Sequence, residues 1–144
     1  MKKRDVIFIF LSLILIVAVV TCLSAPRIKR YSESVSCGNT MVAIGFATRM
    51  WAEDNSNNLA GDFLSMSNEL CTPKLLICRG DKTRKVANDW KSFTTNNSSY
   101  EILRPNLPGN DVSNAYFRCT IHGYQGYADG SIFDGARQIT KWPQ

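Results

Sequence analysis

A single uncharged apolar run, from Val6 to Leu23, constrains this chain more than any other feature of its 144 residues. The run reads VIFIFLSLILIVAVVTCL, which is eighteen residues. A helix rises about 1.5 Å per residue, so a run of this length can cross the roughly 30 Å hydrocarbon core of a bilayer. The sequence therefore predicts a transmembrane helix over residues 6–25, preceded by a short segment of residues 1–5.

A cleaved signal peptide is the alternative interpretation of this run. Such signals carry an apolar core of about 7 to 15 residues, followed by small side chains at the cleavage point. Here the run is longer, and the best cleavage point, after Ala25, has Leu23 at the third position back and Pro26 directly after it. The sequence favours a retained anchor, with Cys22 as an apolar residue of the membrane helix rather than a lipid attachment site.

Basic residues flank the run on both sides and account for the excess positive charge of the chain. They are Lys2, Lys3, Arg4, Arg27, Lys29 and Arg30. Three basic residues lie on each side, so the positive-inside rule gives no orientation from side chains alone. The positive charge of the initiator amino group favours a cytoplasmic N-terminus. Of the 17 basic and 12 acidic residues, the part from residue 31 onwards keeps 11 of each. A neutral body lacks the clustered cations that phosphate binding requires, so we expect no nucleic-acid partner.

Beyond the run, an apolar stripe predicts that the helix continues over residues 26–53. Its members recur at spacings of three and four, as one face of a helix requires: Cys37, Met41, Ile44, Thr48 and Trp51. Pro26 removes one backbone hydrogen bond and is predicted to kink the helix. The short polar side chains of residues 54–58 compete with the helical backbone, so the helix should end there.

The remaining residues, 54–144, predict a small α+β head. The predicted elements are a short helix around Phe63, Met66 and Leu70, a buried strand over Lys74–Cys78, a strand over Ser98–Leu103, and a hairpin of Ala115–Ile121 and Tyr127–Phe133 around His122–Gly126. The predicted fold class is therefore α+β, with a long N-terminal transmembrane and extramembrane helix packed on a small antiparallel sheet.

Four of the five cysteines lie in this body, and an even number in a small domain is typical of an oxidising compartment. Cys78 and Cys119 are one candidate disulfide, and Cys37 and Cys71 are the other. Four cysteines allow three connectivities, and some thiols can also stay reduced and buried. A zinc site ranks lower, because the spacing contains no CxxC and the single His122 would have to complete a scattered set.

Two residues of the predicted hairpin, His122 and Asp129, suggest catalysis by a base and its orienting carboxylate. No serine or cysteine elbow, HExxH motif or second histidine accompanies them in the sequence. We therefore predict that the protein is not an enzyme and needs no cofactor. A membrane-tethered extracytoplasmic binding or hydrolytic module that uses this hairpin is the alternative function.

Several local motifs carry a resemblance to a known family. They are Cys37-Gly38-Asn39-Thr40 with Ile44-Gly45, then Met50-Trp51-Ala52-Glu53-Asp54-Asn55, then the stretch from Ser67 to Cys78, and finally Cys119 to Gly123 with Tyr127 to Ser131. This pattern resembles the bacterial type IV pilin-like proteins, specifically the pseudopilin-like proteins of type II secretion. Pro26 matches the proline that bends the family's N-terminal helix.

The resemblance implies a single-pass protein of the bacterial inner membrane, with a cytoplasmic N-terminus and a periplasmic head. Its partners would be the lipid bilayer and other pilin-like subunits or inner-membrane components of the secretion system. The resemblance implies that His122-Gly123 and Asp129-Gly130 form structural turns, in which the glycines adopt positive φ and Asp129 accepts hydrogen bonds from backbone N–H groups. Some pseudopilins bind calcium in their heads, and Asp129 and Asp134 offer oxygen ligands, but no loop pattern supports a metal site here.

The processing motif departs from the family pattern. With Pro26 aligned, Arg4 and Asp5 occupy the positions of the glycine and the aromatic residue at the processing site, and Ile9 occupies that of the glutamate. Prepilin peptidase needs the glycine, so we expect an unprocessed N-terminus. Two roles stay open, a non-polymerising anchored accessory component and a true filament subunit.

Overall fold

The computed structural model describes the backbone of residues 3–140 and the side chains of residues 12–139. Met1 and Lys2 of the predicted 1–5 segment lie outside the described residues, as do the side chains of Val6 and Ile9. The first element is one long helix, α1, which runs from Lys3 to Asp54. The chain divides into two compact units, Met1–Ser32 and Glu33–Gln144, and α1 contributes residues to both.

The first unit consists of the apolar part of α1. Its large apolar side chains are 49–69% exposed, namely Leu13, Ile14, Leu15, Ile16, Val17, Val19, Val20 and Leu23. Within the described part of the chain, α1 is the one helix long and apolar enough to cross a membrane, a property that anchors share with signal sequences. Pro26 lies inside α1, and the kink expected there stays a prediction.

The second unit builds its core on the remaining turns of α1. Cys37, Met41 and Ile44 are fully buried and Thr48 is nearly so, which confirms the predicted apolar stripe. The helix ends at Asp54, and Ser56 and Asn57 follow in the left-handed region with φ of 56° and 57°. Short polar residues therefore terminate the helix where the sequence predicts.

A five-stranded antiparallel sheet completes the head. Its strands are β1 (Tyr100–Ile102), β2 (Ala115–Cys119), β3 (Gln125–Tyr127), β4 (Ile132–Asp134) and β5 (Arg137–Thr140), and they pair in chain order. Tyr116, Phe117 and Ile132 of the sheet join the buried core that contains Met41 and Ile44 of α1. The α+β fold class is thus confirmed at this level.

Several predicted elements correspond to observed ones. The short second helix is α2, Ser67–Leu70, and the predicted strand at residues 98–103 is β1. The predicted hairpin corresponds to β2 and β3, with Ala115 opposite Tyr127, but its connection is shorter than the predicted His122–Gly126, because Gln125 and Gly126 belong to β3. Local hydrophobic spacing and turn residues were therefore sufficient to predict these elements.

The predicted strand over residues 74–78 is wrong. Residues Pro73–Leu76 form a 3₁₀ helix instead, and the backbone N–H of Lys74 donates to Oγ1 of Thr72 at 3.3 Å. Pro73 has the φ angle that suits the first turn of a helix, and Thr72 is a favourable capping residue. These local preferences outweigh the strand preference of an apolar run that also fits a buried helical turn.

The predicted return strand over residues 127–133 is too long. Only Tyr127 of it lies in β3 and only Ile132 and Phe133 lie in β4. Between them is a tight turn in which the N–H of Tyr127 donates to the carbonyl of Ser131 at 3.0 Å. Gly130 adopts a φ of 79° in this turn, a conformation that favours glycine. The fifth strand, β5, was not predicted.

Candidate metal centre

Three thiols and one imidazole converge at one point in the head. The ligand atoms of Cys37, Cys78, Cys119 and His122 all lie within 4.8 Å of one another. Nδ1 of His122 is 3.3 Å from Sγ of Cys78 and 3.9 Å from Sγ of Cys119. The three cysteines are fully buried, and His122 is half-buried. We call these four residues the thiol–imidazole cluster.

Four different segments supply the cluster. Cys37 lies on α1, Cys78 follows the 3₁₀ helix, Cys119 ends β2, and His122 lies in the turn between β2 and β3. That turn is tight, because the N–H of Gly123 donates to the carbonyl of Cys119 at 2.9 Å and Gly123 has a φ of 73°. A two-residue gap therefore places Cys119 and His122 on the same side of one turn.

The loop that follows Cys78 is held by Ser99 and Asp81. The N–H of Cys78 donates to Oγ of Ser99 at 3.0 Å, and that hydroxyl donates to Oδ2 of Asp81 at 2.7 Å. The N–H of Asp81 in turn donates to the carbonyl of Cys78 at 2.8 Å. Arg84 pairs with Oδ2 of Asp81 at 2.7 Å. The backbone at Cys78 is thus fixed by a closed set of hydrogen bonds.

The imidazole of His122 is positioned by its neighbours on two sides. Its ring stacks on that of Tyr124, with centroids 5.5 Å apart and planes at 28°. The hydroxyl of Tyr124 shares a hydrogen bond with Oγ of Ser34 on α1. On another side the ring lies against Gly80, where an added Cβ would be only 2.9 Å from Cε1 of His122. A side chain at position 80 would therefore have to displace the ring.

The thiols of the cluster perturb one another. Hydrogen bonds with Cys119 and Cys78, together with burial, raise the pKa of Cys37. Hydrogen bonds from Cys119 and Cys37 lower the pKa of Cys78, and the N–H of Gly80 and the charge of His122 lower it further. The hydrogen bond with Cys37 lowers the pKa of Cys119, but the bond with Cys78 and burial outweigh it, so the net shift is upward.

Tyr100 adds a hydroxyl beside the cluster. Its OH donates to Sγ of Cys37 at 3.7 Å. Burial raises the pKa of this phenol, and negative charge on the neighbouring thiols raises it further. Tyr100 therefore remains a protonated donor, and it can stabilise negative charge on Cys37.

Of the two predicted cysteine pairs, the structure brings only the partners of the first, Cys78 and Cys119, together in the cluster. Cys37 of the second pair lies in the same cluster, but its predicted partner Cys71 is exposed outside it. Sγ of Cys71 donates to the carbonyl of Asn68 at 3.5 Å. All five cysteines are free thiols in the structure, and the disulfide pairings stay predictions. Sequence spacing made a zinc site at these scattered residues a low-ranking prediction, but the fold brings Cys37, Cys78, Cys119 and His122 together. The spacing Cys119-x-x-His122 was the sequence signal that could have indicated it.

The other predicted site residues lie in the turns of the sheet. Oδ1 of Asp129 accepts hydrogen bonds from the N–H and the hydroxyl of Ser131 at 3.0 and 2.5 Å. Asp134 forms an ion pair with Arg137 at 3.2 Å. The Nδ1 atom of His122 faces sulfur atoms. Calcium binding at Asp129 and Asp134, and catalysis by His122 with Asp129, stay predictions.

A separate cavity of about 460 Å³ lies between Phe63, Phe93 and Tyr100. None of the four residues of the thiol–imidazole cluster belongs to its described lining. Its walls are mainly apolar, and its described lining contains no cysteine or histidine. The cluster is therefore the stronger candidate for site chemistry.

Comparison of the chain with models of protein families, with curated proteins and with solved structures finds no match.

Proposed function

We propose that this chain is a membrane-anchored, pseudopilin-like structural or assembly component of a type II secretion or type IV pilus-like system. The observation that carries the proposal is the extent of α1, a single helix from Lys3 to Asp54. Its apolar part exposes large side chains of the kind that lipid accommodates, and its later turns supply the buried stripe of the head.

The head depends on this helix for its core. Met41 and Ile44 are fully buried in the same cluster as Tyr116 and Phe117 of β2. A head that lost these turns of α1 would expose the apolar face of its sheet, which costs about 25 cal/mol per Å². In pilin-like proteins, which this chain resembles, one helix is both the membrane anchor and the assembly element. The single helix α1, which includes the apolar run and supplies part of the core of the head, supports the same role here.

The proposed component keeps its N-terminus. Arg4 and Asp5 replace the residues that a prepilin peptidase would need, and the apolar run is longer than the core of a cleaved signal. Mass spectrometry of the mature chain isolated from membranes tests this point, and we expect an N-terminal peptide that begins at Met1 or Lys2. A chain that begins near Asp5 would mean peptidase processing, and one that begins at Pro26 would mean signal cleavage.

The proposed orientation places the N-terminus in the cytoplasm and the head in the periplasm of a bacterial inner membrane. Cys71 offers a natural reporter, because it is exposed whereas Cys37, Cys78 and Cys119 are buried. In a Cys22→Ser background, a membrane-impermeant maleimide should label intact spheroplasts, and the further change Cys71→Ser should abolish the label. Labelling that requires lysis would place the head in the cytoplasm and overturn the orientation.

The assembly role itself is tested by crosslinking in membranes. A full-length chain carrying a C-terminal tag should crosslink to other pilin-like subunits or to inner-membrane components of the same secretion system. Recovery of uncrosslinked chain alone, under conditions that capture a known pseudopilin complex from the same membranes, would overturn the proposal.

A further inference from the structure

We propose that the head binds one Zn²⁺ ion through Sγ of Cys37, Cys78 and Cys119 and Nδ1 of His122. This inference goes beyond the anchoring and assembly role and does not depend on it. It rests on three observations: the spacing of the ligand atoms, the donor set, and the odd number of thiols in the cluster.

The spacing of the ligand atoms suits a tetrahedral ion. With Zn–S distances of about 2.3 Å and Zn–N distances of about 2.0–2.1 Å, the edges of a tetrahedron are about 3.8 Å between sulfurs and about 3.6 Å from sulfur to nitrogen. The distances from Nδ1 of His122 to Cys78 and Cys119, 3.3 and 3.9 Å, bracket this value. All four atoms lie within 4.8 Å of one another, so the distances between them need to change by no more than about 1 Å to close the site.

The donor set selects zinc over the hard cations. Three thiolates and one imidazole form a soft Cys₃His set, whereas Ca²⁺ and Mg²⁺ require oxygen ligands. The three cysteines are fully buried, and protein atoms supply all four positions of the tetrahedron. A site with no open position for water or substrate is structural rather than catalytic.

The count of thiols argues for a metal rather than a disulfide. A disulfide joins two sulfurs at about 2.0 Å and would leave the third thiol of the cluster unpaired. Cys71 does not belong to the cluster and is exposed. One zinc ion instead uses all three sulfurs and the imidazole. Zinc binding releases the thiol protons to solvent, and three thiolates with a neutral imidazole leave the occupied site with a net charge of −1.

The test uses the full-length chain in detergent, reduced and stripped of metal. Titration with Co²⁺ should produce the intense ligand-field and thiolate-to-cobalt absorption of tetrahedral sulfur coordination, saturating at one ion per chain. One equivalent of Zn²⁺ should then bleach this absorption. A weak spectrum of the octahedral aqua type would overturn the proposal without any variant.

Matched variants assign the ligands. Cys78→Ser and His122→Ala should each weaken binding by at least about tenfold, because each removes one ligand. Cys71→Ser should bind one zinc with unchanged affinity, since Cys71 lies outside the cluster. Equal losses in Cys71→Ser and Cys78→Ser would contradict the assignment.

The chain isolated from membranes gives the final measurement. Under immediate alkylation and without added metal, we expect about one zinc per chain and three alkylatable cluster cysteines after denaturation. A Cys78–Cys119 disulfide in that material would overturn the inference. Because these readouts concern only the head, a failure here is distinguishable from a failed crosslinking or N-terminal mass experiment.

Discussion

Nδ1 of His122 lies 3.3 Å from Sγ of Cys78, although 44 positions separate the two residues in the chain. Ser99, which is fully buried, accounts for this proximity. Its N–H donates to the carbonyl of Leu76 at 2.8 Å, and its carbonyl accepts the N–H of Thr120 at 2.9 Å. The segment that precedes Cys78 and the turn that carries His122 are thus hydrogen-bonded to opposite backbone groups of one residue.

Removal of the hydroxyl of Ser99 should loosen the cluster without breaking these two backbone bonds. In Ser99→Ala the N–H of Cys78 loses its acceptor, and Oδ2 of Asp81 loses one donor while it keeps Arg84. The unpaired N–H costs about 1 to 3 kcal/mol of unfolding free energy. We expect a lower midpoint in chemical denaturation and weaker Co²⁺ binding.

Ser92→Ala is the matched control for this change, because Ser92 is an exposed serine whose hydroxyl bonds to Asp89. It should leave Co²⁺ affinity unchanged. If Ser99→Ala retains wild-type Co²⁺ affinity, Ser99 does not position Cys78.

Gly80→Ala should displace the imidazole of His122. The new Cβ would lie 2.9 Å from Cε1 of His122, closer than real Cβ atoms come, and 3.2 Å from Cγ2 of Ile121, which is a tight contact. Because the ring must move away from its ligand position, we expect metal affinity to fall by about tenfold, as for other changes next to ligands. Competition with a coloured zinc chelator measures this affinity.

Gly38→Ala, at the residue next to Cys37, should leave metal binding unchanged. A Cβ at position 38 meets no atom within 4 Å, and alanine is favoured over glycine inside a helix by about 0.5–1 kcal/mol. This variant should keep its zinc and unfold at a slightly higher temperature. A similar loss of zinc in both glycine variants would mean that His122 is not specifically affected at position 80.

Chelation should destabilise the head. The proposed ion joins α1 to two loops and the sheet, and free zinc at 100 times its Kd stabilises a folded domain by about 2.7 kcal/mol. For a head of this size, removing the ion should lower the Tm by about 10 °C. Thermal unfolding followed by circular dichroism, with and without a strong zinc chelator, measures the shift.

The cluster variant Cys78→Ser supplies the control for chelation. Its Tm should already be low, and the chelator should change it little. A wild-type chain whose Tm does not respond to the chelator would contradict a structural role for the ion.

The buried phenol of Tyr116 should make the free energy of unfolding decrease as the pH rises above 10. Its OH donates to the carbonyl of Ala60 at 2.7 Å, and burial raises the pKa of the phenol above its ordinary value of 10.0. The unfolded chain releases this proton at lower pH than the folded chain does. The contribution of the phenol is therefore complete below pH 10 and declines as the pH rises above it.

The variant Tyr116→Phe isolates this effect. At pH 8 it should unfold with about 1 kcal/mol less free energy, because the carbonyl of Ala60 loses its donor. Above pH 10 the difference from wild type should shrink, as urea denaturation at each pH would reveal. Tyr31→Phe, at an exposed tyrosine, should match the wild type throughout, and a constant difference for Tyr116→Phe would contradict the argument.

Much of the fold follows from local sequence patterns. The uncharged run, the stripe from Cys37 to Trp51 and the polar residues after Asp54 predict α1 and its end, since a helix is specified by spacing within a few turns. The hairpin of β2 and β3 follows from a glycine-containing turn between apolar segments. Where two local preferences compete, as at Pro73–Leu76, the strand prediction failed because a short segment with two leucines fits a strand and a helical turn equally well.

The sequence by itself determined an anchor-length helix, a neutral α+β head and the types of side chain available for chemistry. Only the tertiary structure decided which cysteines meet. Cys37, Cys78 and Cys119 are separated by about 40 residues each, and no local spacing reports contacts at that range. The burial of α1 against the sheet and the hydrogen bonds of Ser99 bring them together, because core packing and backbone pairing act between segments that are distant in the chain.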